Sequence, residues 1–148
     1  MTIQVTSGIV ILDTNVVSEP MRPSPSAVVM AWLSRKPENG HFFVTTVTMA
    51  EILFGVELLP RGKRHDNMLT QAQATFAEDF AGRILPFDED AARAFAGIAA
   101  SRRARGRPIT DLDAQIAAIA RSRRAILATR NTADFEDCGI RLVNPWTA

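Results

Sequence analysis

The stretch GIVILDTNVVSEPMR, Gly8–Arg22, decides the predicted fold because it joins an apolar strand to a polar strand end. Ile9–Leu12 is rich in β-branched residues, which is typical of a strand buried on both faces. Asp13 follows directly, and Thr14 and Asn15 come next without a glycine or a proline. A carboxylate in this place is either a turn residue or a group that a rigid strand positions for chemistry.

Length and composition predict one globular domain, residues 1–148, that buries its own core. The chain has 148 residues, of which 47% are hydrophobic and 22% charged, and its net charge is +1. No apolar run approaches the roughly 20 residues of a membrane span. The start, MTIQVTSG, lacks the features of a signal peptide, so we expect a cytoplasmic protein with no membrane contact. The single cysteine, Cys138, excludes an internal disulfide and a thiolate metal cluster.

Apolar runs of strand length alternate with segments of helical spacing along the whole chain. This alternation predicts a parallel sheet covered on both faces, which is a three-layer α/β/α sandwich with about five strands. The strand candidates are Ile9–Leu12, Phe42–Thr45, Ile84–Phe87, Ala125–Ala128 and Arg141–Val143. The predicted helices run from near Ser24 to Lys36, from near Thr48 to Leu59, from His65 to Gly82, from Asp88 to Gly106 and from Thr110 to Arg124.

Acidic residues fall where ligands collect in such a sheet, beyond the carboxyl ends of the strands. Asp13 ends the first strand, whereas Glu51 and Asp113 fall in the predicted first turns of two helices. Asn131 and Asp134 follow the fourth strand. Several carboxylates in one place repel each other unless a cation is present, and Mg²⁺ or Mn²⁺ prefers such oxygen ligands. A divalent ion at this edge would activate water and screen charge during phosphodiester cleavage.

Helix capping is the competing explanation for two of these acids. Thr48-x-x-Glu51 and Thr110-x-x-Asp113 both fit a capping box, in which the acid bonds back to the residue that begins the helix. Spacing alone therefore makes a metal site plausible and leaves the capping explanation open.

The cations are mostly arginines, and many of them lie close together in the sequence. Between Ser101 and Arg124 there are seven arginines and two acids, a local charge of +5. The arginine fork pairs bidentately with phosphate, which predicts an RNA-binding surface, although a solvated helix end is an equal alternative. The predicted RNA-binding residues are Arg102, Arg103, Arg105 and Arg107.

Five blocks, in order, resemble those of the PIN-domain ribonucleases, specifically the VapC-type toxins and among them the FitB-like proteins. The resemblance implies a PIN-like fold, Mg²⁺- or Mn²⁺-dependent cleavage of RNA, and inhibition by a cognate antitoxin protein. It also implies a homodimer that contacts operator DNA only through the antitoxin. The blocks are VILDTNVVSEPMR, TTVTMAEILFGVELLPRGKR, FAGRILPFDEDAARAFAGI, GRPITDLDAQIAAIA and LATRNTADFEDCGIRLVNPW.

The resemblance also assigns roles to particular residues. Asp13 matches the acid of the D-T-N block, Glu51 that of the A-E-[IL]-x-x-G block and Asp113 that of the D-A-x-I-A-A block, so these three are the expected metal ligands and catalytic acids. Asp111 falls outside the motif. The fourth position is ambiguous: some relatives have an acid where this chain has Asn131, and others have one where it has Asp134. We expect Asp134 to be the fourth catalytic acid, with Asn131, Thr14 and Asn15 in support.

Two other functions compete with this interpretation. A phosphatase of the haloacid dehalogenase class also has an aspartate after its first strand, but it needs a second acid at the position of Asn15. A non-catalytic nucleic-acid-binding module would keep the fold and use the arginine surface. Dinucleotide binding is disfavoured because no G-x-G-x-x-G follows the first strand.

Overall fold

The computed structural model describes residues 7–37 and 40–148. A five-stranded sheet in the order β3-β2-β1-β4-β5 forms its centre, and every neighbouring pair of strands is parallel. The prediction of a parallel α/β sandwich is therefore confirmed. The expectation that MTIQVTSG is not a signal peptide concerns a segment whose first six residues lie outside the described part of the chain. The strands are β1 Val10–Leu12, β2 Phe42–Thr45, β3 Ile84–Leu85, β4 Ile126–Ala128 and β5 Arg141–Val143.

Helices connect these strands, and short helical turns extend some of them. No helix among residues 7–37 and 40–148 combines the length and the apolar character that crossing a bilayer requires. The α-helices are α1 Thr14–Ser18, α2 Ala27–Ser34, α3 Thr46–Glu57, α4 Lys63–Ala74, α5 Glu89–Ala104 and α6 Asp111–Ser122. Glu19–Met21 and Thr132–Phe135 form 3₁₀ turns, and Thr75–Asp79 continues α4 as a π-helical segment.

The structure adds one helix to the predicted set and moves boundaries of others, most clearly in α3 and α4. Helix α1, which directly follows Asp13, is absent from the sequence prediction because five residues are too few to show a helical period. Helix α3 begins at Thr46, two residues before the predicted start, because Thr45 is its cap and accepts the Thr48 N–H at 3.1 Å. The regular part of α4 ends at Ala74, before the predicted stop at Gly82.

Helices cover both faces of the sheet, and β1 contributes to the core on each side. Ile11 packs against residues of α5 and α6, including Ile98 and Ile116, on one face. Val10 and Leu12 pack on the other face with residues of α1, α3 and α4. Successive strand residues point to opposite faces, so a strand buried on both must be apolar throughout, as β1 is.

The strand order places a change of direction between β1 and β4. From β1 the chain adds β2 and β3 on one side, and then returns to add β4 and β5 on the other. Leu12 and Ala128 are paired at the ends of β1 and β4, so the next residues, Asp13 and Thr129, leave the sheet side by side. The Asp13 N–H still donates to the Ala128 carbonyl at 2.9 Å, which extends the ladder by one bond. Open parallel sheets bind their ligands at such a crevice.

Candidate active site

Asp13 is almost fully buried at this edge of the sheet, with 5% of its surface exposed. Its Oδ1 accepts the N–H of Thr14 at 2.8 Å, so it caps α1 in addition to ending β1. Its Oδ2 accepts the hydroxyl of Thr129 at 2.7 Å and the side-chain amide of Asn15 at 3.3 Å. Both carboxylate oxygens are therefore fixed by contacts from the ends of two adjacent strands.

Asn15 connects the two sides of the crevice. Its Nδ2 donates to Asp13, and its Oδ1 accepts the backbone N–H of Arg130 at 3.2 Å. The structure thus places Asn15 beside the first acid, in the supporting position that the sequence predicted. An amide suits this position better than a second carboxylate would, because only an amide can donate to one neighbour and accept from the other.

Glu51 reaches the same edge from α3. It lies in the second turn of that helix, so the prediction that it belongs to the first turn is wrong. The Thr14 hydroxyl donates to Glu51 Oε1 at 3.0 Å and also lies 3.0 Å from the hydroxyl of Thr48, which is fully buried. The capping box proposed for Thr48 and Glu51 is excluded, since Thr45 is the cap. The side chain of Glu51 is free to serve the site.

Asp113 lies in the first turn of α6, as predicted. The backbone N–H of Asp113 donates to the Thr110 hydroxyl at 3.3 Å, so Thr110 is the N-cap and this half of the capping box is present. Asp111 lies in the same turn but is exposed, whereas Asp113 is half-buried. The capping contact uses the backbone of Asp113 and leaves its carboxylate available.

All three acids have raised pKa values, and burial is the main cause in each case. Burial raises the pKa of Asp13 to about 6, with hydrogen bonds from Thr129 and Thr14 opposing the rise and the charges of Asp113 and Glu51 adding to it. Burial also raises the pKa of Glu51, which the Thr14 hydroxyl lowers and the charge of Asp113 raises. Burial is likewise the main cause of the raised pKa of Asp113. A group of acids whose pKa values are shifted in this way at a sheet edge is typical of a functional site.

The acids lie near each other without converging on one point. Within the part of the chain that the structure describes, no three carboxylate, imidazole or thiol side chains are close enough to hold one metal ion. The oxygens of Asp13, Glu51 and Asp113 are nevertheless hard donors of the kind that Mg²⁺ and Mn²⁺ prefer. The chemistry of the donors fits such an ion, and Mg²⁺ is commonly held by only one or two carboxylates with water completing its coordination.

Asn131 and Asp134, the two candidates for the fourth position of the site, both lie close to the acids but act on different ones. Asp134 is exposed in the 3₁₀ turn after β4, and its charge raises the pKa of Asp113. Asn131 precedes this turn, and its backbone N–H donates to the Thr129 hydroxyl at 3.1 Å. Asp134 is therefore near Asp113, whereas Asn131 acts on Asp13 through Thr129 and its main chain.

The structure corrects one of the four predicted RNA-binding arginines. Arg102 is 4% exposed, and its guanidinium donates to the carbonyls of Arg107, Asp134 and Glu136 at 2.7–2.9 Å. It holds the end of α5 against the turn that carries Asp134, so it is not available to a phosphate and the prediction for it is wrong. Sequence shows the charge of an arginine but not its burial.

The other three arginines of that set are exposed at the end of α5 and in the following loop. Arg105 pairs with Asp137 at 3.4 Å, and Arg107 pairs with Glu136 at 3.1 Å and Asp137 at 3.4 Å. Exposed ion pairs of this kind contribute about 0–1 kcal/mol. A phosphate could therefore displace them, and their RNA-binding role stays a prediction, as does that of Arg103.

Thr129 is the residue that sequence reasoning missed. It is fully buried, it donates to Asp13, and it accepts from Asn131. Its position directly after an apolar strand was a signal, since Asp13 occupies the same place after β1. A threonine there is ordinarily taken for a strand residue, and the contact with Asp13 spans 116 positions of sequence.

Comparisons with known proteins agree with this geometry. The family model described as the PIN domain matches residues 10–139. The chain is 36% identical over 137 residues to the VapC ribonuclease Y4jK of Sinorhizobium fredii, covering 93% of this chain and 97% of the relative. It is 38% identical over 137 residues to Toxin FitB of Neisseria gonorrhoeae, covering 93% and 98%. A solved structure of FitAB bound to an IR36 DNA fragment superposes with a TM-score of 0.86 at 38% identity, covering 93% of this chain and 96% of that one.

Proposed function

The chain belongs to the PIN-domain family, and on that premise we propose that it is an endoribonuclease and the toxin of a toxin–antitoxin pair. The similarity to a VapC ribonuclease and to Toxin FitB extends over 93% of the chain in each case, so it includes the site and not only the sheet. We further propose that residues 1–148 form one nuclease domain that works in the cytoplasm.

The observation that carries this proposal is the set of acids at the crevice between β1 and β4. Asp13, Glu51 and Asp113 all have raised pKa values, and the charge of Asp113 contributes to the shifts of the other two. At neutral pH such a group needs a cation, and Mg²⁺ is commonly held by one or two carboxylates together with water. A bound Mg²⁺ or Mn²⁺ would supply an activated water and would offset the charge that develops on the phosphodiester.

The residues around the acids would orient them. Asp13, Glu51 and Asp113 would hold the ion, one or two of them directly and the rest through water, and Asp134 would lie beside Asp113 toward the substrate. Thr14 and Asn15 hold Glu51 and Asp13 in place through hydrogen bonds of 3.0 and 3.3 Å. Outer partners of this kind fix the direction of a ligand and raise metal affinity.

An antitoxin partner is part of the same proposal, because FitB is found together with FitA in the FitAB structure. A mostly apolar groove of about 460 Å³ lies next to Thr14 and Glu51, and its other lining residues include Ile52, Met68 and Arg64. Grooves of this type accept the apolar face of a helix from a partner protein. We also propose that this chain forms a homodimer. Its contact with operator DNA would come only through the antitoxin.

The proposal is tested by incubating the purified protein with a pool of RNA, with and without a chelator, and sequencing the new ends. We expect cleavage that disappears with the chelator and returns with Mg²⁺ or Mn²⁺. Asp111→Asn is the matched control for Asp113→Asn, because both acids lie in the first turn of α6. Cleavage that persists in the chelator, or RNA left intact under all conditions, would contradict the proposal.

Two measurements separate the competing functions. A phosphatase of the haloacid dehalogenase class would form a phosphoenzyme on Asp13, which mass spectrometry would detect. Such a phosphatase also needs a second acid two residues after the first, where this chain has Asn15. A non-catalytic binding module would retain RNA and leave it uncut, and its binding would not depend on divalent metal.

A further inference from the structure

Arg130 and Trp146 form a unit beside the acids that the proposed mechanism does not use. Arg130 follows Thr129 at the end of β4, and its guanidinium lies over the ring of Trp146, 4.9 Å from the ring centre. Trp146 follows β5, the strand next to β4. The unit therefore lies at the carboxyl edge of the sheet, on the β5 side of the crevice, whereas Glu51 lies on the β2 side.

Hydrogen bonds fix the backbone of this unit relative to Asp13. The Arg130 N–H donates to Asn15 Oδ1 at 3.2 Å, and the Nδ2 of the same asparagine donates to Asp13. The Arg130 carbonyl accepts the side-chain amide of Asn144 at 3.5 Å, and Asn144 Oδ1 accepts the N–H of Trp146 at 2.9 Å. One asparagine thus joins Arg130 to the first acid, and another joins it to its aromatic partner.

The charge of Arg130 is available to a ligand. Its side chain is exposed, and within residues 7–37 and 40–148 no carboxylate forms an ion pair with its guanidinium. Trp146 is half-buried and packs against the core on the α1–α3–α4 side of the sheet, so it supports the guanidinium from a fixed position. Arginine combines stacking on an aromatic ring with bidentate pairing to phosphate, and a lysine cannot do both.

We propose that Arg130 binds a phosphate of the RNA next to the scissile position and that Trp146 is the positioning residue for its guanidinium. This inference rests on the proposed function, because it assigns the charge to an RNA substrate. A polyanion that approaches several carboxylates needs a cation at the rim of the site. Arg102 is buried, and a phosphate would have to displace the carboxylate partners of Arg105 and Arg107, whereas Arg130 has no such partner among the described residues.

The test measures cleavage kinetics and RNA binding for a small set of variants. Arg130→Ala should raise KM by about tenfold or more with kcat little changed, which is the effect of losing a hydrogen bond to a charged group. The slope of log binding constant against log salt, measured with a fluorescent single-stranded RNA pool of random sequence, should fall by about 0.7. Arg130→Lys should keep the slope but recover only part of the KM, because it lacks the fork.

Trp146→Leu tests the positioning role, since leucine keeps the contact with the core but removes the ring face. It should raise KM by about two- to fivefold in the unaltered chain and have no effect on KM when combined with Arg130→Ala. Equal effects of Trp146→Leu in both backgrounds would assign Trp146 to packing alone and overturn its positioning role.

Arg141→Ala is the matched control, because Arg141 is exposed at the opposite, amino end of β5. An unchanged KM and salt slope for Arg130→Ala would overturn the proposal, and so would equal losses for Arg130→Ala and Arg141→Ala. In either case, metal-dependent cleavage by the unaltered chain would leave the proposed function standing. If the unaltered chain does not cut RNA, the proposed function fails. The binding measurement needs no cleavage and decides the role of Arg130 in that case too.

Discussion

Replacing Asp13 with asparagine should stabilise the metal-free protein while it removes RNA cleavage. Burial raises the pKa of Asp13 from 3.8 to about 6, so the folded state favours the protonated acid. Each pKa unit corresponds to about 1.4 kcal/mol, so a shift of this size makes the ionised group cost about 3 kcal/mol of folding free energy above pH 6. The protonated form avoids this cost. Its contribution to stability is complete below about pH 4 and is lost as the pH rises through 6.

The hydrogen bonds of Asp13 set the net gain. In Asp13→Asn, the remaining oxygen can accept the Thr14 N–H, and the new amide can donate to the Thr129 hydroxyl. The amide of Asn15 then faces another donor and loses its contact, and the proton of the Thr129 hydroxyl loses its acceptor, at a cost of about 1 kcal/mol each. The expected gain at pH 7.5 is therefore about 1 kcal/mol, or roughly 2–4 °C in Tm for a chain of this size.

Urea unfolding in a chelator, at several pH values, measures this gain. The difference between variant and unaltered protein should shrink as the pH falls through 6 and vanish or reverse by about pH 4. Saturating Mg²⁺ should reduce the difference at pH 7.5, because only the unaltered protein gains from tight binding of the ion. A variant that is less stable than the unaltered protein at pH 7.5 in chelator would refute this account of Asp13, as would a variant with full cleavage.

Three further predictions concern the remaining polar groups of the site. Asp113→Asn should reduce cleavage by at least about tenfold and Asp111→Asn by less than about twofold; reversed effects in a cleavage assay would mean that the motif was aligned on the wrong acid. Asp134→Ala should lower kcat more than it lowers metal affinity by titration calorimetry, and full turnover at low metal concentration would make Asp134 structural. Thr129→Val removes a bond that lowers the pKa of Asp13, so the acid limb of the pH–rate profile should move to higher pH; an unmoved limb would show that the ionisation of Asp13 does not control the rate.

The fold could be predicted where a segment is long or where polarity changes sharply. Strand β1 is recognisable because a continuous apolar run meets Asp13, and α6 because Thr110 precedes an apolar helical face. Helix α1 is not, since five residues with two valines look like the continuation of a strand. The predicted start of α3 is two residues late because TTVT offers three threonines as caps. Only the place of Thr45 at the end of β2, where its hydroxyl accepts the Thr48 N–H, distinguishes it from the other two.

The site could be predicted as far as residue type allows. Acids at strand ends and helix starts are visible in the sequence, so Asp13, Glu51 and Asp113 could be named before their proximity was known. The contacts that tune them are not visible, since Thr129 and Asp13 meet only through the pairing of β1 with β4. Arg102 fails for the converse reason: its charge suggests a surface, but its guanidinium satisfies three carbonyls in the interior.

The balance of forces on Asp13 explains why the strand ends on a buried acid. Burial alone would favour a neutral group at neutral pH, and the neighbouring charges of Asp113 and Glu51 act in the same direction. Thr129 and the Thr14 N–H oppose them, so the pKa stops at about 6. At pH 7.5 the carboxylate is then mostly ionised and still held at two oxygens, in a conformation that a bound cation would not need to rearrange. The ionised acid destabilises the metal-free fold, because it is buried and is repelled by Asp113 and Glu51. A divalent ion that binds there relieves this repulsion, and the relief adds to its binding free energy.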